Sequence, residues 1–173
     1  MIPGFVDLQV NGYRGIDFSA PGLTEEQVFS VSHDLLQMGV VAYCPTVITS
    51  PLEVYRENLP VLAKAFDSRQ GAKILGIHLE GPFINPEAKG VHPLEHIHAP
   101  DIEWFEQLQQ WALGRIAILS LAPEMPGAME LITHVVKTSK AAVSLGHHLA
   151  DRDAIHRAEQ AGARACTHLG NGL

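Results

Sequence analysis

Residues 74–83 read Ile74-Leu75-Gly76-Ile77-His78-Leu79-Glu80-Gly81-Pro82-Phe83. An apolar run leads into a polar, turn-forming end. Five other stretches share this build: Phe5–Val10, Val40–Pro45, Ile116–Ala122, Ala142–Gly146 and Ala165–Leu169. Their apolar residues are continuous rather than alternating, as in strands covered on both faces. Helical segments separate them. Thr24 and Gln27 make a capping-box pattern ahead of Val28, Val31 and Leu35, and Gly39 supplies the stop. Ser50-Pro51-Leu52-Glu53 predicts a second capping box with proline at the first helical position, and Pro60 predicts a kink or break. Asp151 is placed to cap a helix that ends near Gly162, and residues 101–113 and 127–138 complete the helical set.

Strand–helix alternation of this kind predicts a parallel sheet with right-handed crossovers. A doubly wound open sheet and a (β/α)₈ TIM-type barrel both satisfy it. No GxGxxG follows the first strand, which weighs against the dinucleotide-binding form of the open sheet. A barrel needs eight strands and about 250 residues, whereas this chain offers six candidate strands in 173 residues. The expectation is an incomplete barrel of about six strands. There is no internal repeat, low-complexity tract or linker.

Composition narrows the function classes. The chain is 46% hydrophobic, enough for one sizeable core, and its net charge of −7 provides no basic surface for nucleic acid or anionic membrane. No apolar stretch approaches the roughly 20 residues of a membrane span, and Met1-Ile2-Pro3-Gly4 has no basic signal-peptide start. Cys44 and Cys166 lie in apolar runs outside any CxxC pattern, so both read as small buried hydrophobes in a cytoplasmic protein.

Chemistry gathers where the strands end. The first ends in Asp7-Leu8-Gln9-Val10-Asn11-Gly12, the third in His78-Leu79-Glu80, the fifth in Gly146-His147-His148 and the sixth in Thr167-His168-Leu169-Gly170-Asn171-Gly172. In a parallel α/β fold those carboxyl ends share one face, which carries the active site. Glu80, His147 and His168 offer one carboxylate and two imidazoles, a set suited to a divalent transition metal with a position left for water. Such a metal polarises a carbonyl and lowers the pKa of water toward neutrality. Each residue alone is more often a satisfied buried polar group; three at equivalent strand ends favour a metal. His78, two residues before Glu80, reads as a core histidine or a partner behind the ligands. His92, beyond Gly90-Val91 in a polar loop, is a substrate contact, too mobile for a metal ligand. His96 and His98 read as surface, and His33, His134 and His156 as solvated helix residues.

These motifs together resemble the N-acetylglucosamine-6-phosphate deacetylase family of the metal-dependent amidohydrolase superfamily. The likeness runs from Pro3-Gly4-Phe5-Val6-Asp7-Leu8-Gln9-Val10-Asn11-Gly12 to the His168 motif. His78–Phe83 followed by Asn85-Pro86 and Lys89-Gly90-Val91-His92 is its most specific part, with Leu121-Ala122-Pro123-Glu124 in support. The resemblance implies hydrolysis of the N-acetyl group of an amino-sugar phosphate, releasing acetate, in amino-sugar catabolism. It implies one divalent metal, zinc first and iron or another divalent ion as alternatives, held by Glu80, His147 and His168. Val91 and His92 would contact the sugar, and Asn171 and Gly172 the phosphate end. Gln9-Val10-Asn11 stands where two-metal amidohydrolases carry His-x-His, which implies a single tight site. Gly170, Gly172-Leu173 and His148-Leu149 depart from the family pattern around the sugar pocket.

By the same resemblance, residues 1–173 form the amino-terminal and central part of the catalytic barrel, without the small β-domain and the last strands. The general-base aspartate of strand eight is expected beyond Leu173, so the chain alone is expected to be inactive and to associate through bare strand edges. A homodimer is implied at full length. Two other readings share the metal ligands: an amidohydrolase acting on another N-acyl or cyclic amide, and an inactive metal-binding fragment.

Overall fold

The structure is a computed structural model that describes residues 4–68 and 70–170. Asn171 and Gly172, expected at the phosphate end, lie outside the described residues. The elements in chain order are β1 (Phe5–Val10), β2 (Gly12–Tyr13), β3 (Ile16–Asp17), α1 (Glu25–Gln37), β4 (Val40–Ile48), α2 (Leu52–Ala65), β5 (Lys73–Ile74), β6 (Ile77–Glu80), α3 (Ile102–Trp111), β7 (Ile116–Leu121), α4 (Ala128–Thr138), β8 (Ala142–Leu145), α5 (Arg152–Ala161) and β9 (Ala165–Cys166). They form two compact units. The first holds residues up to Val47, Pro51–His78 and Leu108–Ala117; the second holds Ile48–Ser50, Leu79–Gln107 and Ile118 onward.

In the first unit β1 pairs parallel with β4, with Val6 opposite Ala42 and Asp7 opposite Tyr43, and β4 pairs parallel with β5. Ile77 N–H donates to the Arg115 carbonyl at 2.8 Å, joining the starts of β6 and β7. Helices α1 and α2 pack together over a core that includes Val28, Val31, Leu35, Tyr43, Val47, Tyr55, Leu59 and Leu62. The buried Ser32 hydroxyl reaches both the Val28 carbonyl and Tyr43 Oη, so this polar pair is satisfied within the core. Asn58 Nδ2 donates to the Phe18 and Ala20 carbonyls, tying the segment after β3 to α2.

In the second unit Gly81 N–H donates to the Ser120 carbonyl, Ile118–Leu121 of β7 runs parallel beside Ala142–Leu145 of β8, and β8 runs parallel beside β9. Helices α4 and α5 pack on one another, and Leu119, Leu121, Leu131, Ile132, Val135 and Val143 are buried. The hydroxyls of Ser120 and Ser144 both meet Thr167 Oγ1, at 2.5 and 2.7 Å, a polar layer shared by adjacent strand ends.

The hydrogen-bonded order is β1-β4-β6-β7-β8-β9. The strands follow chain order with no reversal. That is the winding of a (β/α)₈ barrel and excludes a doubly wound sheet, whose order turns back at a switch point.

Several expectations are corrected. The third predicted strand is split at Leu75-Gly76 into β5 and β6. Gly76 has φ 143°, and a Cβ there would stand 2.5 Å from the Ala117 Cβ, so close approach to the next strand requires glycine. The N-cap of α2 is Pro51, without a side-chain cap bond, because Ser50 Oγ donates back to the Ile48 carbonyl. Pro60 lies inside α2 without dividing it; the buried Val54, Tyr55, Leu59 and Leu62 hold both halves against the core. Cys166 is exposed, and so are Phe5, Val6 and Leu8. Strands β1 and β9 stand last in the order and pair on one side only, which leaves their apolar residues less covered than those between them.

The Thr24 capping box is present as expected: Gln27 N–H donates to Thr24 Oγ1, and Thr24 N–H donates to Gln27 Oε1. Thr24→Ala is expected to destabilise the chain by about 1 kcal/mol, with Thr24→Ser recovering most of the loss. Urea denaturation followed by circular dichroism measures both.

Candidate metal centre

Glu80 closes β6 and is 3% exposed; His147 stands two residues past β8, and His168 two residues past β9. All three belong to the second unit. Both histidines take left-handed backbone, with φ 53° and 31°. For residues with a Cβ this costs roughly 1–2 kcal/mol each, so neighbouring bonds must hold them there. Gly146 makes the approach possible. A Cβ on it would stand 2.8 Å from the Thr167 Cβ, so a larger residue would push the end of β8 away from His168.

The three side chains converge. His168 Nε2 lies 2.9 Å and His147 Nε2 3.2 Å from Glu80 Oε1, and the two Nε2 atoms are 3.2 Å apart. One ligand atom from each residue lies within 4.8 Å of the others. The bond on the far side of His147 fixes its chemistry. His147 Nδ1 donates to the Ala88 carbonyl at 3.0 Å, and a carbonyl only accepts. In the neutral ring, Nε2 then carries a lone pair that faces the carboxylate oxygen. Two acceptors at 3.2 Å repel unless a proton or a cation lies with them. The bond to Glu80 stabilises the protonated ring and raises the His147 pKa, against the lowering effect of burial. A divalent cation satisfies all three lone pairs at once, and the two-nitrogen, one-oxygen donor set fits it.

His92 departs from expectation in one respect. It is 1% exposed and firmly held. Thr49 N–H donates to its Nδ1 at 3.3 Å and the Thr49 hydroxyl meets the same atom at 2.8 Å. The short turns on either side, Pro86–Ala88 and Leu94–His96, anchor what the sequence presents as a loose polar loop. Its Nε2 lies 4.0 Å from Glu80 Oε2, and its ring centroid is 4.3 Å from that of His147. Burial first, then repulsion from a charged His147, pushes the His92 pKa down to about 4; attraction to Glu80 offsets part of this.

The other expected residues separate. Val91 is 85% exposed. His78 is a core histidine of the first unit, its Nδ1 donating to the Leu8 carbonyl at 3.0 Å and lying 3.4 Å from Thr46 Oγ1. His33, His98 and His156 are exposed; His96 and His134 are half-buried, His134 pairing with Glu106. Two residues of the site escape sequence reading. Thr49 follows β4 directly, so the strand-end rule that found Glu80 also applies to it. Glu124, which accepts from Asn85 Nδ2 and Leu149 N–H, lies in a recognised motif without an evident task.

No protein-family model matches the chain. Its sequence is 39% identical over 176 residues to the N-acetylglucosamine-6-phosphate deacetylase of Bos taurus, covering 100% of this chain and 43% of that protein. Across its whole length the chain is homologous to the N-acetylglucosamine-6-phosphate deacetylases. The crystal structure of the deacetylase from Pasteurella multocida superposes with a TM-score of 0.86 at 35% identity, covering 98% of this chain and 44% of that one. A mutant deacetylase from Mycobacterium smegmatis, in complex with N-acetyl-D-glucosamine-6-phosphate, gives a TM-score of 0.85 at 27% identity, over 99% of this chain and 44% of its own. The chain thus spans less than half the length of these deacetylases. Among the described residues no helix is long and apolar enough to cross a membrane.

His92 and His147 give the metal-free chain opposed pH dependences. Between the ordinary histidine value of 6.5 and about 4, the unfolded chain protonates His92 while the folded chain does not. His92 therefore withdraws stability as pH falls through that window. The raised His147 contributes stability below 6.5 that is lost as pH rises through its folded value. In an NMR titration of the imidazoles, His92 is expected to remain neutral at pH 5.5 and His147 to titrate above 6.5. A His92 midpoint near 6.5 would contradict this assignment.

Proposed function

We propose that this chain is the metal-holding part of a deacetylase that removes acetate from a phosphorylated N-acetylhexosamine, N-acetylglucosamine-6-phosphate in the first instance, in amino-sugar catabolism. The observation that carries the reading is the convergence of Glu80, His147 and His168, with the His147 lone pair turned toward the carboxylate. Identity to named deacetylases along the full chain supports the reaction class. Glu80, His147 and His168 hold one divalent ion, zinc by preference for this donor set. When bound, it supplies Lewis acidity, polarising the amide carbonyl and bringing water into the range of a nucleophile near neutral pH.

The protein's own groups bind and orient. With Nδ1 accepting from Thr49, neutral His92 presents Nε2–H as a donor toward the sugar's acetamido or hydroxyl oxygen. Val91 packs against the sugar, and the backbone N–H groups of Asn171 and Gly172 receive the phosphate end. Glu80 is committed to the metal and Glu124 to Asn85 and Leu149, so the proton transfers are assigned to no residue of this chain. We place the chain in the cytoplasm and, at the length of its relatives, in a homodimer.

Metal analysis of Glu80→Ala and His147→Ala tests the centre. Both are expected to lose most of the bound divalent ion, while His92→Ala retains it. Full occupancy in folded Glu80→Ala and His147→Ala proteins would refute the ligand set. In a deacetylase of the relatives' full length that contains this chain, His92→Ala is expected to lower kcat/KM about 10²–10⁴-fold, as loss of a proton-donating catalytic contact does. Comparing phosphorylated with unphosphorylated N-acetylhexosamines tests the substrate class. Equal turnover of the two would remove the phosphate site from the reading.

A further inference from the structure

Glu124 lies three residues beyond β7, and its Oε1 receives two hydrogen bonds, from Asn85 Nδ2 at 2.8 Å and from Leu149 N–H at 2.6 Å. Its Oε2 is buried without a hydrogen-bond partner among the described residues. The two donors flank the same ligand. Leu149 follows His147 by two residues. Asn85 touches His147 directly, its N–H donating to the His147 carbonyl at 3.0 Å. Asn85 Oδ1 also accepts from Glu87 N–H, capping the short turn Pro86–Ala88, and the last carbonyl of that turn receives His147 Nδ1. The bonds form a closed ring, from Glu124 through Asn85 and the turn to His147, then along the chain to Leu149 and back to Glu124. His147 sits within the ring in left-handed backbone that it does not prefer.

We propose that Glu124 is a positioning residue for the metal centre, clamping Asn85 and Leu149 so that His147 Nε2 stands where a divalent ion requires it. The inference rests on the metal reading given above and adds a residue to it. A single acceptor oxygen performs the clamping, since Oε2 has no hydrogen-bond partner among the described residues. The hydrogen-bond geometry of that oxygen, rather than the second carboxylate oxygen, is what the site uses. Partners behind metal ligands typically change affinity 10–100-fold when removed.

Zinc titration of the 173-residue chain against a chromophoric chelator tests this, with thermal melting of the metal-free protein alongside. Glu124→Ala is expected to weaken zinc binding about tenfold or more. Glu124→Gln, whose amide oxygen can accept both bonds, is expected to stay within about threefold of the unaltered chain. A role limited to stability lowers the melting temperature of Glu124→Ala and leaves the zinc affinity of the folded protein unchanged; that result overturns the inference. Glutamine as damaging as alanine overturns it too, because it assigns the effect to charge. If Glu124→Ala does not fold, Asn85→Ala takes its place under the same two outcomes. Absence of zinc binding by the unaltered chain overturns the metal reading itself, whereas unchanged affinity in the variant overturns only the role of Glu124.

Discussion

The bond from His147 Nδ1 to the Ala88 carbonyl decides which imidazole nitrogen faces Glu80, and the remaining arrangement of the site depends on that decision. A carbonyl cannot donate, so the ring has one neutral tautomer available there. Its lone pair is directed at a carboxylate 3% exposed, where water is too scarce to separate two acceptors. Left alone, the pair is relieved by a proton and the histidine becomes more basic. The same arrangement would let Glu80, His147 and His168 hold a divalent ion. The loop that brings Ala88 to His147 is therefore as much a part of the centre as the three ligands.

The strands supply the candidate ligands, but the turns after them supply the aim. Parallel strands in chain order place Glu80, His147 and His168 at successive carboxyl ends. A residue that merely continued its strand would alternate across the sheet and point into the barrel layers or the helices. His147 and His168 instead leave the strand through left-handed backbone, and Gly146 lets the second turn lie against the first. At the adjacent strand ends the hydroxyls of Ser120 and Ser144 both bond Thr167 Oγ1, next in sequence to His168.

What was legible in the sequence follows from this division. The winding and the convergence of Glu80, His147 and His168 follow from periodicity and from the rule that strand ends share a face, and both can be read in a single sequence. The bonds between loops are not periodic. Nothing in the spacing of Thr49 and His92, 43 residues apart, reveals that one pins the other, so His92 reads as mobile when it is buried. Glu124 and Asn85, 39 residues apart, are hidden for the same reason. Local capping rules fared unevenly because their donors have alternatives. Thr24 has only its own helix to serve, whereas Ser50 finds the Ile48 carbonyl within reach and leaves α2 uncapped by a side chain. Burial of the strands was overestimated at β1 and β9, since an apolar run records the tendency to be covered and not which neighbour covers it.

His92 and His147 show how two like side chains 4.3 Å apart acquire opposite chemistry. Thr49 offers His92 Nδ1 a backbone N–H, a group that only donates, so the nitrogen must accept and the proton resides on Nε2. Ala88 offers His147 Nδ1 a group that only accepts, so the proton resides on Nδ1 and Nε2 is bare. One ring therefore presents a donor toward the site and the other presents an acceptor. Burial reinforces the difference by holding His92 neutral, at a pKa near 4, while Glu80 draws His147 toward charge. A neutral donor beside a cation site has a further consequence. A charged imidazole at that position would repel a divalent ion held by Glu80, His147 and His168. Burial keeps His92 uncharged and the backbone N–H of Thr49 fixes its proton on Nε2, so a hydrogen-bond donor stands beside the candidate cation site.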